Sequence, residues 1–144
     1  MSIIVQKYGG TSIGTIEKIL SVADKIISAK KEGNDVVVVV SAMSGETNRL
    51  LNLAKSIDSE ASGRELDVLV STGEQVTIAL LSMALIKKDY KAISLTGSQA
   101  GIVTSSVFNK ARIESINNAV IKKYLKEDNI VIIAGFQGIT KDGD

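Results

Sequence analysis

Ile3-Ile4-Val5-Gln6-Lys7-Tyr8-Gly9-Gly10-Thr11-Ser12 sets an apolar run, a lysine and a glycine pair in sequence near the start of the chain. The run predicts a buried strand. The glycines let backbone N–H groups approach an anion closely, and the periodic stretch that follows offers the positive end of a helix. Strand, turn and helix together make a candidate phosphate site. It is not a Walker A loop, whose lysine follows the glycines. A plainer reading stands beside it: Lys7 as a solvated lysine at a strand end, ahead of an ordinary glycine turn.

Working outward, Ile16, Ile19, Leu20, Ala23, Ile26 and Ile27 recur at helical spacing as far as Gly33-Asn34. Val36 to Val40 is a run of valines, apolar on both faces as an interior parallel strand requires. A second helix is expected to begin near Glu46. Leu66 to Lys88 reads as a buried helix, apolar on nearly every side from Gln75 to Ile86 and broken near Gly73. Ala92 to Leu95 and Ile130 to Ala134 read as strands. Between them, Ile113, Ile116, Val120, Ile121 and Tyr124 predict one amphipathic helix.

The order β-α-β-α-α-β-loop-α-β predicts an α/β fold, a three-layer α/β/α sandwich with a mostly parallel sheet. There is no internal repeat, low-complexity tract or proline, so residues 1–144 are expected to form one domain. Ligands of such sheets bind outside the carboxyl ends of the strands. The turns Gly9 to Ser12, Ser41 to Gly45, Thr96 to Gly101 and Gly135 to Gly138 are all expected there.

Composition removes several classes of function. A chain of 144 residues can bury roughly two thirds of its unfolded surface without disulfides. A net charge of +1 and an aromatic content of 3% give no case for nucleic acid. With neither cysteine nor histidine, disulfides, thiolate nucleophiles, imidazole bases and the usual zinc sites are excluded. Any metal must sit on oxygen ligands. No secretory leader is evident, and no apolar stretch reads as long and uninterrupted enough to cross a bilayer; a cytoplasmic location without membrane contact is the expectation.

Six segments carry a family resemblance: KYGGTS at Lys7 to Ser12, VVSAMSGETNRLL at Val39 to Leu51, STGEQ at Ser71 to Gln75, TGSQAGI at Thr96 to Ile102, NKARI at Asn109 to Ile113 and AGFQGI at Ala134 to Ile139. In this order and spacing, over the whole chain, they resemble the aspartate kinases of the amino acid kinase superfamily. Acetylglutamate, glutamate 5- and UMP kinases share the first segment only loosely. The resemblance implies transfer of the ATP γ-phosphoryl group to the β-carboxylate of L-aspartate, the entry to lysine, threonine and methionine synthesis. It implies that Lys7, Tyr8, Gly9, Gly10, Thr11 and Ser12 hold the ATP phosphates, with Lys7 stabilising the transition state and Mg²⁺ held mainly by the phosphates. It places Ser41, Thr47 and Glu74 at the aspartate site, and suggests a homodimer.

The chemistry suits the composition. A carboxylate with a pKa of ~4 is already ionised at neutral pH, so this acceptor needs no general base. Positioning and charge neutralisation carry such a transfer.

Alternatives stay open at several positions. Ser71-x-x-Glu74 is also a capping box ahead of an apolar run. Ser44, Thr47 and Asn48 all qualify as helix N-caps. Ser41 serves equally as a turn residue, Thr96 to Gly101 as a packing turn, and Lys110 and Arg112 as solvated charges.

Aspartate kinases continue past a segment like Ala134 to Asp144 into a GRGGSD-type motif, a nucleotide-binding half and ACT domains, none of which is in this sequence. The chain is expected to be the amino-terminal, substrate-side lobe alone, inactive by itself. The competing expectations are a superfamily kinase with another acceptor and a non-catalytic anion-binding lobe.

Overall fold

The computed structural model describes residues 2–144. Strand β1 (Ile3–Tyr8) pairs in parallel with β2 (Asp35–Val40), with Lys7 beside Val39 and Tyr8 beside Val40. β2 pairs with β6 (Ile130–Ala134), and β6 with β3 (Ala92–Leu95), all parallel, in the order β1-β2-β6-β3. The valine run therefore lies inside the sheet, with Val36, Val38 and Val40 fully buried. A small antiparallel pair, β4 (Ile102–Thr104) with β5 (Ile113–Ile116), stands apart from this sheet.

Helix α1 (Ile16–Lys31) starts at Thr15, whose hydroxyl accepts from the Lys18 N–H at 3.2 Å, and carries Lys30 and Lys31 in its last turn, where they complement the helix dipole. Its Ile19, Val22, Ala23 and Ile26 meet Ile78, Leu81 and Leu85 of α3 (Arg64–Lys87) and the even-numbered valines of β2 in the larger core. Each of these branched side chains contributes about 1.5–3 kcal/mol by burial. On the opposite face, Leu125 of α4 (Ala119–Lys126) packs with Val37, Leu95, Val131 and Ile133. Helices on both faces of a parallel sheet are the three-layer α/β/α arrangement expected. Helix α2 (Glu46–Ile57) lies against α3.

Five expectations need correction. β1 is an edge strand rather than a buried one: Ile3 and Val5 are 54% and 66% exposed, because the cluster under α4 on that face takes residues from β2, β6 and β3 and none from β1. α3 runs unbroken through Gly73, which lets it approach the β2–α2 turn; a Cβ there would stand 2.9 Å from the Ala42 Cβ. Ser71 lies within α3, which starts after Gly63, and its hydroxyl donates back to the Val68 carbonyl at 2.8 Å. The capping box is therefore absent.

Ile113 and Ile116 belong to β5, and only Ala119–Lys126 is helical. Val103 pairs with Ser115 and Thr104 with Ile113, so Glu114 is an extra residue on β5. That bulge breaks the alternation of two and leaves two isoleucines at a spacing that mimics a helix. Finally, α3 is long and apolar enough to cross a membrane by length and composition, with 24 residues and a mean hydropathy of 1.5 over its most apolar window. In the fold it is a core helix that buries Ile78, Leu81 and Leu85 against α1 and the sheet.

Candidate functional site

Because all the strands of the main sheet are parallel, the four glycine-rich turns leave its one carboxyl edge. The loop after β1 tightens into a 3-10 turn, Gly10–Ser12, in which the Ser12 N–H donates to the Gly9 carbonyl at 3.0 Å. The N–H groups ahead of that first turn bond have no partner within it. Gly10 seats this loop against the turn after β2, since a Cβ there would lie 3.0 Å from the Ala42 carbonyl oxygen. The turn after β6 joins them through the Gly135 N–H, which donates to the Val40 carbonyl at 2.8 Å.

Between these turns and α3 lies a cleft of about 400 Å³ lined by Gly10, Ser41, Thr47, Val70, Glu74 and Phe136 among others. α2 begins after Gly45, whose left-handed φ of 83° turns the chain into the helix without a side-chain cap. Thr47 is thus not the N-cap and sits in the first turn, facing the cleft. Glu74 comes from the middle of α3 and is only 5% exposed. Burial pushes its carboxyl pKa up. Among the described residues Glu74 takes part in no ion pair. A buried carboxylate open to a cleft and lacking a cation suits a positively charged ligand group.

The sequence-derived candidates divide accordingly. Gly10, Ser41, Thr47 and Glu74 line one cleft. Lys7 is not one of the lining residues; its ammonium lies 5.0 Å from the centre of the ring of Phe136, which is. Gly9, Thr11 and Ser12 form the adjoining loop. Tyr8 turns its ring the other way, against the larger core, and its hydroxyl donates to Gln6 Oε1 at 3.0 Å, so only its backbone lies beside the loop. Thr96 to Gly101 is well explained by packing: the Thr96 N–H donates to Gln99 Oε1 and the Gln99 N–H to Thr96 Oγ1, at 3.0 and 3.3 Å. Lys110 and Arg112 are exposed on the β4–β5 hairpin.

Three residues that sequence reasoning did not single out also shape the site. Lys18, from the first turn of α1, donates to the Thr11 carbonyl at 2.9 Å and ties down the glycine loop. Gln137 donates from Nε2 to the Ser71 carbonyl at 3.2 Å and accepts from the Gly97 N–H at 3.4 Å, linking α3 to the turns after β3 and β6. Phe136 is 79% exposed and has a left-handed backbone, with φ of 56°.

The loop fits a phosphate group in its donors: a lysine, close-packed glycine backbone and the unbonded start of a helical turn. Among the described residues no group of three or more acidic, histidine or cysteine side chains could hold a metal alone.

Comparison with known proteins identifies the family. The model of the amino acid kinase family matches residues 2–144. An aspartokinase from Bacillus sp. (strain MGA3) is 57% identical over the whole chain, as is an aspartate kinase from Pseudomonas putida over 99% of it; the chain spans 35% of the length of each. Among solved structures, aspartate kinase from Synechocystis is 46% identical and superposes with a TM-score of 0.78 over 95% of this chain and 22% of that one. E. coli aspartokinase III, crystallised with aspartate and ADP, superposes with a TM-score of 0.80 over 99% of this chain and 42% of its own, at 22% identity, a likeness of fold. The chain belongs to the amino acid kinase family.

Proposed function

We propose that residues 1–144 form the amino-terminal, substrate-side lobe of an aspartate kinase, which transfers the ATP γ-phosphoryl group to the β-carboxylate of L-aspartate. The observation that carries this reading is Glu74, a buried carboxylate that takes part in no ion pair among the described residues, in the same cleft as Gly10. The substrate ammonium supplies the missing charge. Thr47 and Ser41 line the same cleft and bring hydroxyl groups to it.

Lys7, with the backbone of Tyr8, Gly9, Gly10, Thr11 and Ser12, holds the phosphates. A β-carboxylate oxygen forms the new O–P bond as the bond from the γ-phosphorus to the bridging oxygen of ADP breaks. Negative charge gathers on the γ-phosphoryl oxygens, and Lys7 neutralises part of it. Mg²⁺, when it arrives with the nucleotide, supplies further neutralisation. The 57% identity to aspartokinases supports aspartate over other acceptors of the superfamily.

The chain alone is proposed to be inactive, because in-line transfer requires both reactants to be held, and the resemblance to aspartate kinases assigns the adenine and ribose contacts to a half of the kinase domain that follows a segment like this one. A hydroxylamine trap for acyl phosphate tests the reading. The full-length kinase that carries this lobe should form hydroxamate with ATP and L-aspartate, and the 144-residue chain should not. Preference for N-acetylglutamate, glutamate or UMP would refute the substrate, and comparable turnover by the isolated chain would refute the division of the site.

A further inference from the structure

The turn after β6 carries an anomaly that the proposed chemistry leaves unused. Phe136 presents a large apolar ring to solvent, 79% exposed, from a backbone with φ of 56°. Left-handed backbone is costly for a side chain of this size, and asparagine or glycine would adopt it more easily. Burial gives no compensation for that cost. The neighbours of the residue are nevertheless firmly held: Gly135 N–H is bonded to Val40, and Gln137 is bonded to both α3 and Gly97. A tightly anchored turn thus aims one exposed ring, and the ring stands beside the Lys7 ammonium, 5.0 Å from it. Among the described residues Lys7 takes part in no ion pair, so the ring face is the group that restrains its long side chain.

We propose that Phe136 is a positioning residue for Lys7: the ring face holds the ammonium at the carboxyl edge of the sheet, limiting its freedom before phosphate arrives. This rests on the phosphate role given to Lys7 above. The attraction is electrostatic, between the cation and the ring quadrupole, so it survives Phe136→Tyr and is lost in Phe136→Leu. Leucine shares phenylalanine's unbranched Cβ, so the left-handed backbone is no harder for it to adopt.

Two measurements test this. In the 144-residue chain with isotope-labelled lysine, the Lys7 ε-methylene protons should resonate upfield of the other lysines, from the ring current. Phe136→Leu should abolish the displacement and Phe136→Tyr retain it. A Lys7 signal at the ordinary position, or one unmoved by Phe136→Leu, overturns the proposal whatever the function of the protein. In the full-length kinase, Phe136→Leu should lower kcat about two- to fivefold, the range expected for an exposed cation–ring contact. Aspartate KM should stay within twofold, and Phe136→Tyr should restore kcat. A raised KM with unchanged kcat would make Phe136 a direct substrate contact and overturn the positioning role. Failure of the phosphate role itself shows separately, as Lys7→Ala turning over normally.

Discussion

Gly73→Ala sets two magnitudes against each other. Within a helix alanine is favoured over glycine by about 0.8–1 kcal/mol, and Gly73 lies inside α3. The added Cβ, however, would stand 2.9 Å from the Ala42 Cβ, an atom fixed to backbone that is itself 5% exposed in the turn after β2. It cannot swing aside as a long side chain would, and overpacking of this kind costs about 1–3 kcal/mol. The clash wins: Gly73→Ala should destabilise the chain by about 1 kcal/mol, a fall in Tm of about 3 °C. The wedge also moves Glu74 away from Ser41 and Thr47. Ala42→Gly removes the obstructing atom and leaves only ordinary contacts, Leu50 Cδ1 at 3.5 Å and Glu46 Cγ at 3.6 Å. In that background Gly73→Ala should stabilise by about 1 kcal/mol. Urea denaturation of the four proteins of the cycle measures the coupling, expected at about 1–3 kcal/mol. If Gly73→Ala stabilises equally in both backgrounds, the close approach of α3 to this turn is not as described.

Leu81, fully buried between α1 and the sheet, should cost about 2–5 kcal/mol as Leu81→Ala, measured by denaturant unfolding. Asn109 latches the β4–β5 hairpin to the start of α3, accepting from the Gly63 N–H at 2.8 Å and donating to Asp67. Asn109→Ala should cost about 0.5–2 kcal/mol, as loss of a helix cap does, and should raise amide exchange in the hairpin. For Glu74, burial raises the folded-state pKa above its ordinary 4.5, so the folded state binds the extra proton. Stability should therefore fall as pH rises from below 4.5 through the raised value. Glu74→Gln should raise Tm at neutral pH, with the gain vanishing below pH 4.5; a gain that does not depend on pH would contradict this.

Much of this was legible in the sequence because the relevant signals are local and periodic. The valines of β2 announce a strand buried on both faces, and the four glycine-bearing turns announce one sheet edge. What covers a strand is not local: Ile3 and Val5 have the composition of a core strand, and only the topology leaves them on an edge. The β5 bulge disguised a strand as a helix by altering its spacing. Gly73 looked like a helix break because its reason, the approach of Ala42, comes from a residue distant in sequence. Gly10, Ser41, Thr47 and Glu74, all candidates from the sequence, meet in one cleft. Lys18, Phe136 and Gln137 escaped because a lysine on an exposed helix face, or an aromatic and an amide in a turn, carry no periodic signal. Their contacts appear only when loops after different strands are brought together.

The turnover of Lys7→Ala in the full-length kinase, with ATP and L-aspartate saturating, tests the central claim most directly. Loss of a preorganised cation at the developing charge should lower kcat by about 10²- to 10³-fold while leaving aspartate KM nearly unchanged, since Glu74 and Thr47 remain. Near-normal kcat in that variant would contradict the assignment of Lys7 and the glycine loop to phosphoryl transfer.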